Sequence, residues 1–154
     1  MIKPDPADQI HRGDTAVEMR TGIVFAGHTR PDGSAVDLSL DIQVPRRGGA
    51  RPLVVYIPGG GFVLALKESM LGLRTYVAEA GFAVASIEYR TVADEADYSD
   101  GIADVKSAIR YLRAHAGEYG IDPAHVAVWG ESAGGYLAAM AGVTNGIEIG
   151  RAHV

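Results

Sequence analysis

The 154-residue sequence contains no cysteine. Disulfides, thiolate metal sites and a cysteine nucleophile are therefore excluded. No apolar run approaches the ~18 consecutive residues a membrane helix needs, so no membrane span is expected. The first thirty residues lack the basic-then-apolar pattern of a secretory signal, which leads to the expectation of a cytoplasmic protein. Positive charge is also in deficit: 14 Lys and Arg stand against 19 Asp and Glu, for a formal net charge of −5. That balance argues against nucleic acid or an anionic membrane as the main partner. Five scattered histidines without H-x-H or H-x-x-x-H spacing give no metal site, and no organic cofactor is implied.

What the sequence does have is glycine, 20 residues, roughly twice its usual ~7% share. Apolar residues make up 47% and charged residues 21%, enough for one core. The length corresponds to one domain.

Proline and charge without periodicity mark residues 1–20 as an N-terminal arm. Short apolar runs follow: Ile23-Val24-Phe25, an alternating Val36 to Ile42, and a continuous Leu53 to Ile57. Alternation suits a strand with one wet face in an antiparallel pair; the continuous run suits a strand buried on both faces. Met70, Leu73, Val77 and Ala80 fall at helical spacing, with Gly81 as C-cap. Phe82 to Ile87 reads as a third buried strand. Ile102, Val105, Ile109, Leu112 and Ala116 mark one face of a longer helix. Its first turn carries Asp100 and Asp104 and its later turns Lys106, Arg110 and Arg113, the polarity a helix dipole favours. Gly120-Ile121-Asp122-Pro123 breaks it. His125 to Trp129 is another strand, followed by a small-residue helix from about Ala133 to Val143. Alternating strands and helices predict an α/β fold with a mostly parallel sheet and crossover helices.

Two glycine clusters carry the chemistry. Gly130-Glu131-Ser132-Ala133-Gly134 is a G-x-S-x-G sequence between a buried strand and a helix, the setting a nucleophile elbow demands. Gly130 and Gly134 flank a turn too tight for side chains, and Gly135 adds room. The turn lifts Ser132 Oγ above the sheet. Gly59-Gly60-Gly61-Phe62 follows a second buried strand. Its backbone N–H groups, with that of Ala133, form a candidate oxyanion hole, each donor worth ~3–4 kcal/mol in a transition state. A phosphate-binding reading fails, because neither G-x-x-x-x-G-K-[ST] nor a complete G-x-G-x-x-G fingerprint is present.

Tyr56-Ile57-Pro58-Gly59-Gly60-Gly61-Phe62, Glu88-Tyr89-Arg90, the Asp104-to-Arg113 helix, Gly120-Ile121-Asp122-Pro123 and Gly130 to Gly135 together resemble the α/β-hydrolase fold. More narrowly they resemble esterases of the hormone-sensitive-lipase and carbohydrate-esterase-like branch, over residues 20 to 147. The resemblance implies Ser132 as the acylated nucleophile and Gly60, Gly61 and Ala133 as oxyanion donors. It implies hydrolysis of short acyl esters, with acetylated carbohydrates as one class. Pro58 departs from the branch, which usually places histidine there.

A serine needs a base and an orienting carboxylate, which in this fold follow the serine in the chain. Only 22 residues follow Ser132. His11, His28, His115 and His125 precede it and read as surface residues. His153 lies within geometric reach, since an ~11-residue helix spans about 16 Å and eleven further residues extend to ~36 Å. However, Ile149-Gly150-Arg151-Ala152-His153-Val154 back-translates to ATC GGA AGA GCA CAC GTC, the string of a common sequencing-library adapter. The expectation is that residues 21–147 are the N-terminal half of an α/β-hydrolase domain, truncated after the elbow helix. Residues 148–154 are expected to be an adapter-encoded tail on a metagenomic or transcript fragment, with the catalytic acid and histidine absent. The nucleotides coding for 149–154 test the last point.

Three readings stay open: an esterase fragment, a serine peptidase of related fold, and a non-catalytic module whose exposed sheet edge pairs with itself. Asp94, Glu95, Asp97 and Asp100 read as a solvated loop and helix start. Tyr89-Arg90 reads as structural, with bracing of the loop beneath the site as the alternative. Trp129 reads as core.

Overall fold

The computed structural model describes residues 16–46 and 48–144. Most of the 1–20 arm, His11, His153 and the 148–154 tail lie outside the described residues. Five strands form one sheet in the order β1-β2-β4-β3-β5. These are β1 (Val17–Thr29), β2 (Ala35–Pro45), β3 (Arg51–Ile57), β4 (Ala83–Ile87) and β5 (Ile121–Gly130). β1 pairs antiparallel with β2, and β2 antiparallel with β4. β4, β3 and β5 run parallel. The helices are α1 (Leu71–Glu79), α2 (Tyr98–Ala114), α3 (Ala116–Tyr119) and α4 (Ala133–Val143). The arrangement is the expected α/β class, two early antiparallel strands feeding a parallel centre.

Side chains alternate across β3. Leu53, Val55 and Ile57 join Ile102, Val105, Leu112 and Leu137 of α2 and α4 in the main core. Val54 and Tyr56 point to the other face, with Ala78 and Val77 of α1 and with Trp129. β4 is buried at all five positions, as a continuous apolar run in a central strand requires. Each fully buried Leu or Ile here contributes roughly 1.5–3 kcal/mol.

The structure differs from the sequence reading in four places. β1 begins at Val17, inside the segment read as an arm, and runs 13 residues rather than three. It bends at irregularities between Arg20 and Ile23 and between Val24 and Ala26. Gly22 turns the first of these at φ 68 and donates its N–H to Asp41 Oδ1 at 2.9 Å. Second, the polar face of β2 is not wet throughout. Asp41 and Gln43 are buried, because α1 packs there; Gln43 Nε2 donates to Thr75 Oγ1 at 2.6 Å. Third, Asp104 is fully buried rather than a first-turn surface acid. Arg90 donates to both of its carboxylate oxygens, Nη2 to Oδ1 at 2.9 Å and Nε to Oδ2 at 3.0 Å. Fourth, β5 starts at Ile121 but jumps register between Asp122 and Val126. Pro123, which lacks an N–H, sits in that interruption.

α2 starts where its caps dictate. Asp97 accepts from the Ser99 and Asp100 N–H groups, and Asp100 Oδ2 accepts from the Asp97 N–H at 3.0 Å. Gly120, at φ 63, ends α3 and turns the chain into β5.

Candidate active site

The parallel strands β3 and β5 end side by side, with Ile57 opposite Gly130. Both glycine clusters therefore emerge at the same end of the sheet, about seventy residues apart in sequence but adjacent in space. Ser132 lies between β5 and α4 at φ 51, ψ −122, and is exposed. A non-glycine residue at positive φ is strained, typically by 1–3 kcal/mol, and persists only where the surroundings hold it.

The surroundings are glycine-dependent contacts. A Cβ on Gly130 would lie 2.4 Å from the Gly134 carbonyl oxygen. A Cβ on Gly134 would lie 2.0 Å from the Ile57 carbonyl oxygen and 2.6 Å from that of Pro58. α4 thus begins pressed against the end of β3. Gly135 is less tight, its nearest neighbour the Gly130 carbonyl oxygen at 3.3 Å. Ala133 is buried at the start of α4, and the Tyr136 N–H donates to the Ser132 carbonyl at 3.0 Å.

The 59–61 loop runs alongside. A Cβ on Gly59 would be 3.4 Å from Ser132 Cβ and 3.1 Å from the Glu131 carbonyl oxygen. Gly60 and Gly61 have φ 142 and φ 62, and Phe62 continues at φ 62. The Val63 and Leu64 N–H groups close the turn on the Gly60 carbonyl at 3.0 and 3.1 Å. Among the described residues, no acceptor engages the N–H groups of Gly60, Gly61 or Ala133. Tyr89, only 2% exposed, donates its hydroxyl to the Pro58 carbonyl at 2.9 Å. Tyr89 thus braces the chain one residue before the glycines, the alternative the sequence reading set aside. Burial raises its pKa.

Aromatic side chains follow both glycine clusters in the chain, Phe62 after Gly61 and Tyr136 after Gly135. Phe62 and Tyr98 each meet Tyr136 edge-on, at centroid distances of 6.1 and 6.0 Å. Tyr56, in β3, donates its hydroxyl to Glu131 Oε1 at 3.1 Å and stacks at a tilt on Trp129, 4.8 Å between centroids. Burial, and then the bond to Glu131, push the Tyr56 hydroxyl up to about 12. Sequence reasoning gave Tyr56 no role. The cross-strand register Tyr56–Trp129 creates the contact, and only the paired sheet shows it.

Among the described residues, no histidine partners Ser132. His28 Nε2 lies 3.2 Å from Asp104 Oδ1, so its side chain faces a buried carboxylate and is not a plain surface residue. His115 stacks on Tyr111 at 4.1 Å between centroids, with Nδ1 2.8 Å from the Tyr111 carbonyl. His125 Nδ1 is 2.7 Å from Asp122 Oδ2, on the end of β5 away from the elbow. Of the acidic cluster, Asp94 binds Arg30 at 2.7 Å and caps the turn at Val92–Asp94. No group of three or more metal-ligating side chains occurs among the described residues. No helix there is long and apolar enough to cross a membrane.

A strained serine between strand and helix, with a glycine turn beside it, invites comparison with known proteins. The BD-FAE family model matches residues 40–151. The chain belongs to the BD-FAE family. Its relatives include the probable carboxylic ester hydrolase LipM of Mycobacterium tuberculosis, 37% identical over 62% of this chain and 22% of the relative. The carboxylic ester hydrolase LipN of the same organism is 34% identical over 88% of this chain and 33% of the relative. Among solved structures, a truncated carbohydrate esterase from gut microbiota superimposes with a TM-score of 0.71 at 35% identity, covering 87% of this chain and 46% of that one. The fold is that of the α/β-hydrolase esterases, and the chain spans a fifth to a half of the length of these relatives.

Proposed function

We propose that this chain carries the nucleophile portion of a carboxylic ester hydrolase that works through an acyl-serine intermediate. The observation that carries the reading is the exposed Ser132 at φ 51, held at the junction of β5 and α4 beside the 59–61 loop. Ser132 Oγ attacks the ester carbonyl. The N–H groups of Gly60, Gly61 and Ala133 receive the oxyanion, each donor worth about 3–4 kcal/mol in the transition state. Gly130, Glu131, Gly134 and Gly135 form the elbow that aims the hydroxyl. The substrates are short acyl esters, with acetylated carbohydrates as a specific class; the likeness to a gut carbohydrate esterase supports that choice.

The base and its orienting acid come from outside residues 16–144. His28, His115 and His125 are engaged away from the serine, which supports this assignment. Residues 16–144 alone then acylate slowly. Without a base, an oxyanion hole and binding leave ~10³–10⁴ over water, a rate that does not pass through the serine. The test compares wild type with Ser132→Ala on p-nitrophenyl acetate. Slow acetylation of Ser132, read by mass spectrometry and absent from the variant, is expected. No acetyl group on Ser132 overturns the serine assignment, and turnover at normal esterase rates that His28→Ala, His115→Ala or His125→Ala abolishes overturns the assignment of the base. A parallel peptide substrate separates esterase from peptidase.

The outer edge of β5 supports a further role. Pro123, Ala124, His125 and Ala127 of this last strand are exposed. Open strand edges template pairing, and self-association through β5 is expected to show as concentration-dependent mass in sedimentation.

A further inference from the structure

Ser132 keeps an unfavourable backbone conformation, so the residue before it must be held. Glu131 is exposed, and exposed glutamates are ordinarily free to rotate. Here a hydrogen bond and a close approach restrain it. Its carboxylate accepts the Tyr56 hydroxyl at 3.1 Å. Its Cγ and its carbonyl oxygen lie beside Gly59, 3.2 and 3.1 Å from where a Cβ would stand. Glu131 therefore joins the elbow to a buried strand and lies alongside the glycine loop.

The anchor for this restraint is unusually firm. The Tyr56 residue is 1% exposed. Its ring is fixed by Trp129 on one side and lies 6.0 Å from the buried Arg74 guanidinium. The register sets Tyr56 opposite Trp129, three residues before Ser132, so its hydroxyl reaches past the end of β5 to the elbow. A tyrosine hydroxyl is protonated at neutral pH, so it serves there as the donor.

We propose that Tyr56 is a positioning residue that fixes the nucleophile elbow through Glu131. It ties the Ser132 backbone to the rigid end of β3 and keeps the elbow in register with the 59–61 loop. The acceptor matters rather than the charge, since a neutral amide oxygen takes the same bond. The chemical consequence rests on the reading of Ser132 as nucleophile; the mechanical claim stands without it.

The test is amide hydrogen exchange by NMR on the full chain, read at Tyr136, whose N–H binds the Ser132 carbonyl. Tyr56→Phe keeps the ring and removes the bond. We expect Tyr136 to exchange about tenfold faster in Tyr56→Phe and in Glu131→Ala, since the hydrogen bond that ties the elbow to β3 is lost. The double variant should show no further increase, and Glu131→Gln should stay near wild type. Amides of β2 and α2 should not change. Wild-type exchange at Tyr136 in Tyr56→Phe overturns the proposal. So does additive loosening in the double variant, or loosening spread evenly through the sheet, which marks a purely structural tyrosine. The measurement needs no turnover, so a chain that never acylates Ser132 overturns the hydrolytic reading and leaves this result decisive.

Discussion

The two glycine clusters end neighbouring strands and serve one site, but they need glycine for different reasons. At the elbow the reason is space. Gly134 has no room for a Cβ because two backbone carbonyls of β3 and its extension already fill it. In the 59–61 loop conformation enters as well. Gly60 combines φ 142 with a Leu64 carbonyl oxygen 2.2 Å from a would-be Cβ, whereas Gly61 sits at φ 62 with nothing within 4 Å of one. The elbow is thus built by packing that cannot give way. The loop is built by backbone torsion, alone at Gly61 and with packing at Gly60, and is closed by two hydrogen bonds onto Gly60 and braced by Tyr89. The proposed nucleophile thus sits on the rigid cluster and two of the proposed oxyanion donors on the looser one.

Alanine substitutions put that contrast at risk, from the largest effect to the smallest. Gly134→Ala should cost about 3 kcal/mol, because neither backbone carbonyl can move aside; urea unfolding measures it. Gly60→Ala should cost about 2 kcal/mol, combining φ 142 with a clash 2.2 Å from the Leu64 carbonyl oxygen. Gly61→Ala should cost only about 1 kcal/mol, the left-handed penalty alone, and Gly61→Asn less than Gly61→Ala. If Gly61→Ala destabilises as much as Gly134→Ala, the distinction between space and torsion fails.

A separate effect is a pH dependence. The Tyr56 hydroxyl ordinarily titrates near 10 and is raised to about 12 in the folded chain. Its neutral form is favoured by folding, so the stability it contributes is complete below pH 10 and is lost as pH rises from 10 towards 12. Wild type should therefore lose stability across that window more steeply than Tyr56→Phe. Parallel curves for the two proteins would show that the buried hydroxyl is not linked to folding.

Much of this organisation is legible in the sequence because local physics enforces it. Gly130 and Gly134 around Ser132 announce a strand-to-helix turn, and α4 follows directly. The apolar periodicity of α2 and the unbroken runs of β3 and β4 survive into the structure because burial on both sides demands them. What was illegible depends on partners distant in sequence. β1 is largely exposed, so it carries no apolar alternation; its length comes from pairing with β2. Asp41 and Gln43 look like a wet face until α1 covers them. Asp104 looks like a helix-dipole acid until Arg90 arrives from the end of β4. Tyr56 becomes a brace for the elbow only when β3 and β5 are in register.

The proposed chemistry rests most directly on Ser132. Treatment with a phosphonylating ester analogue, followed by peptide mass mapping, reads it in one step. A single adduct on the peptide carrying Ser132, slow to form and absent from Ser132→Ala, is the predicted result. Labelling that is equal in the two proteins, or that falls on other residues, would contradict it.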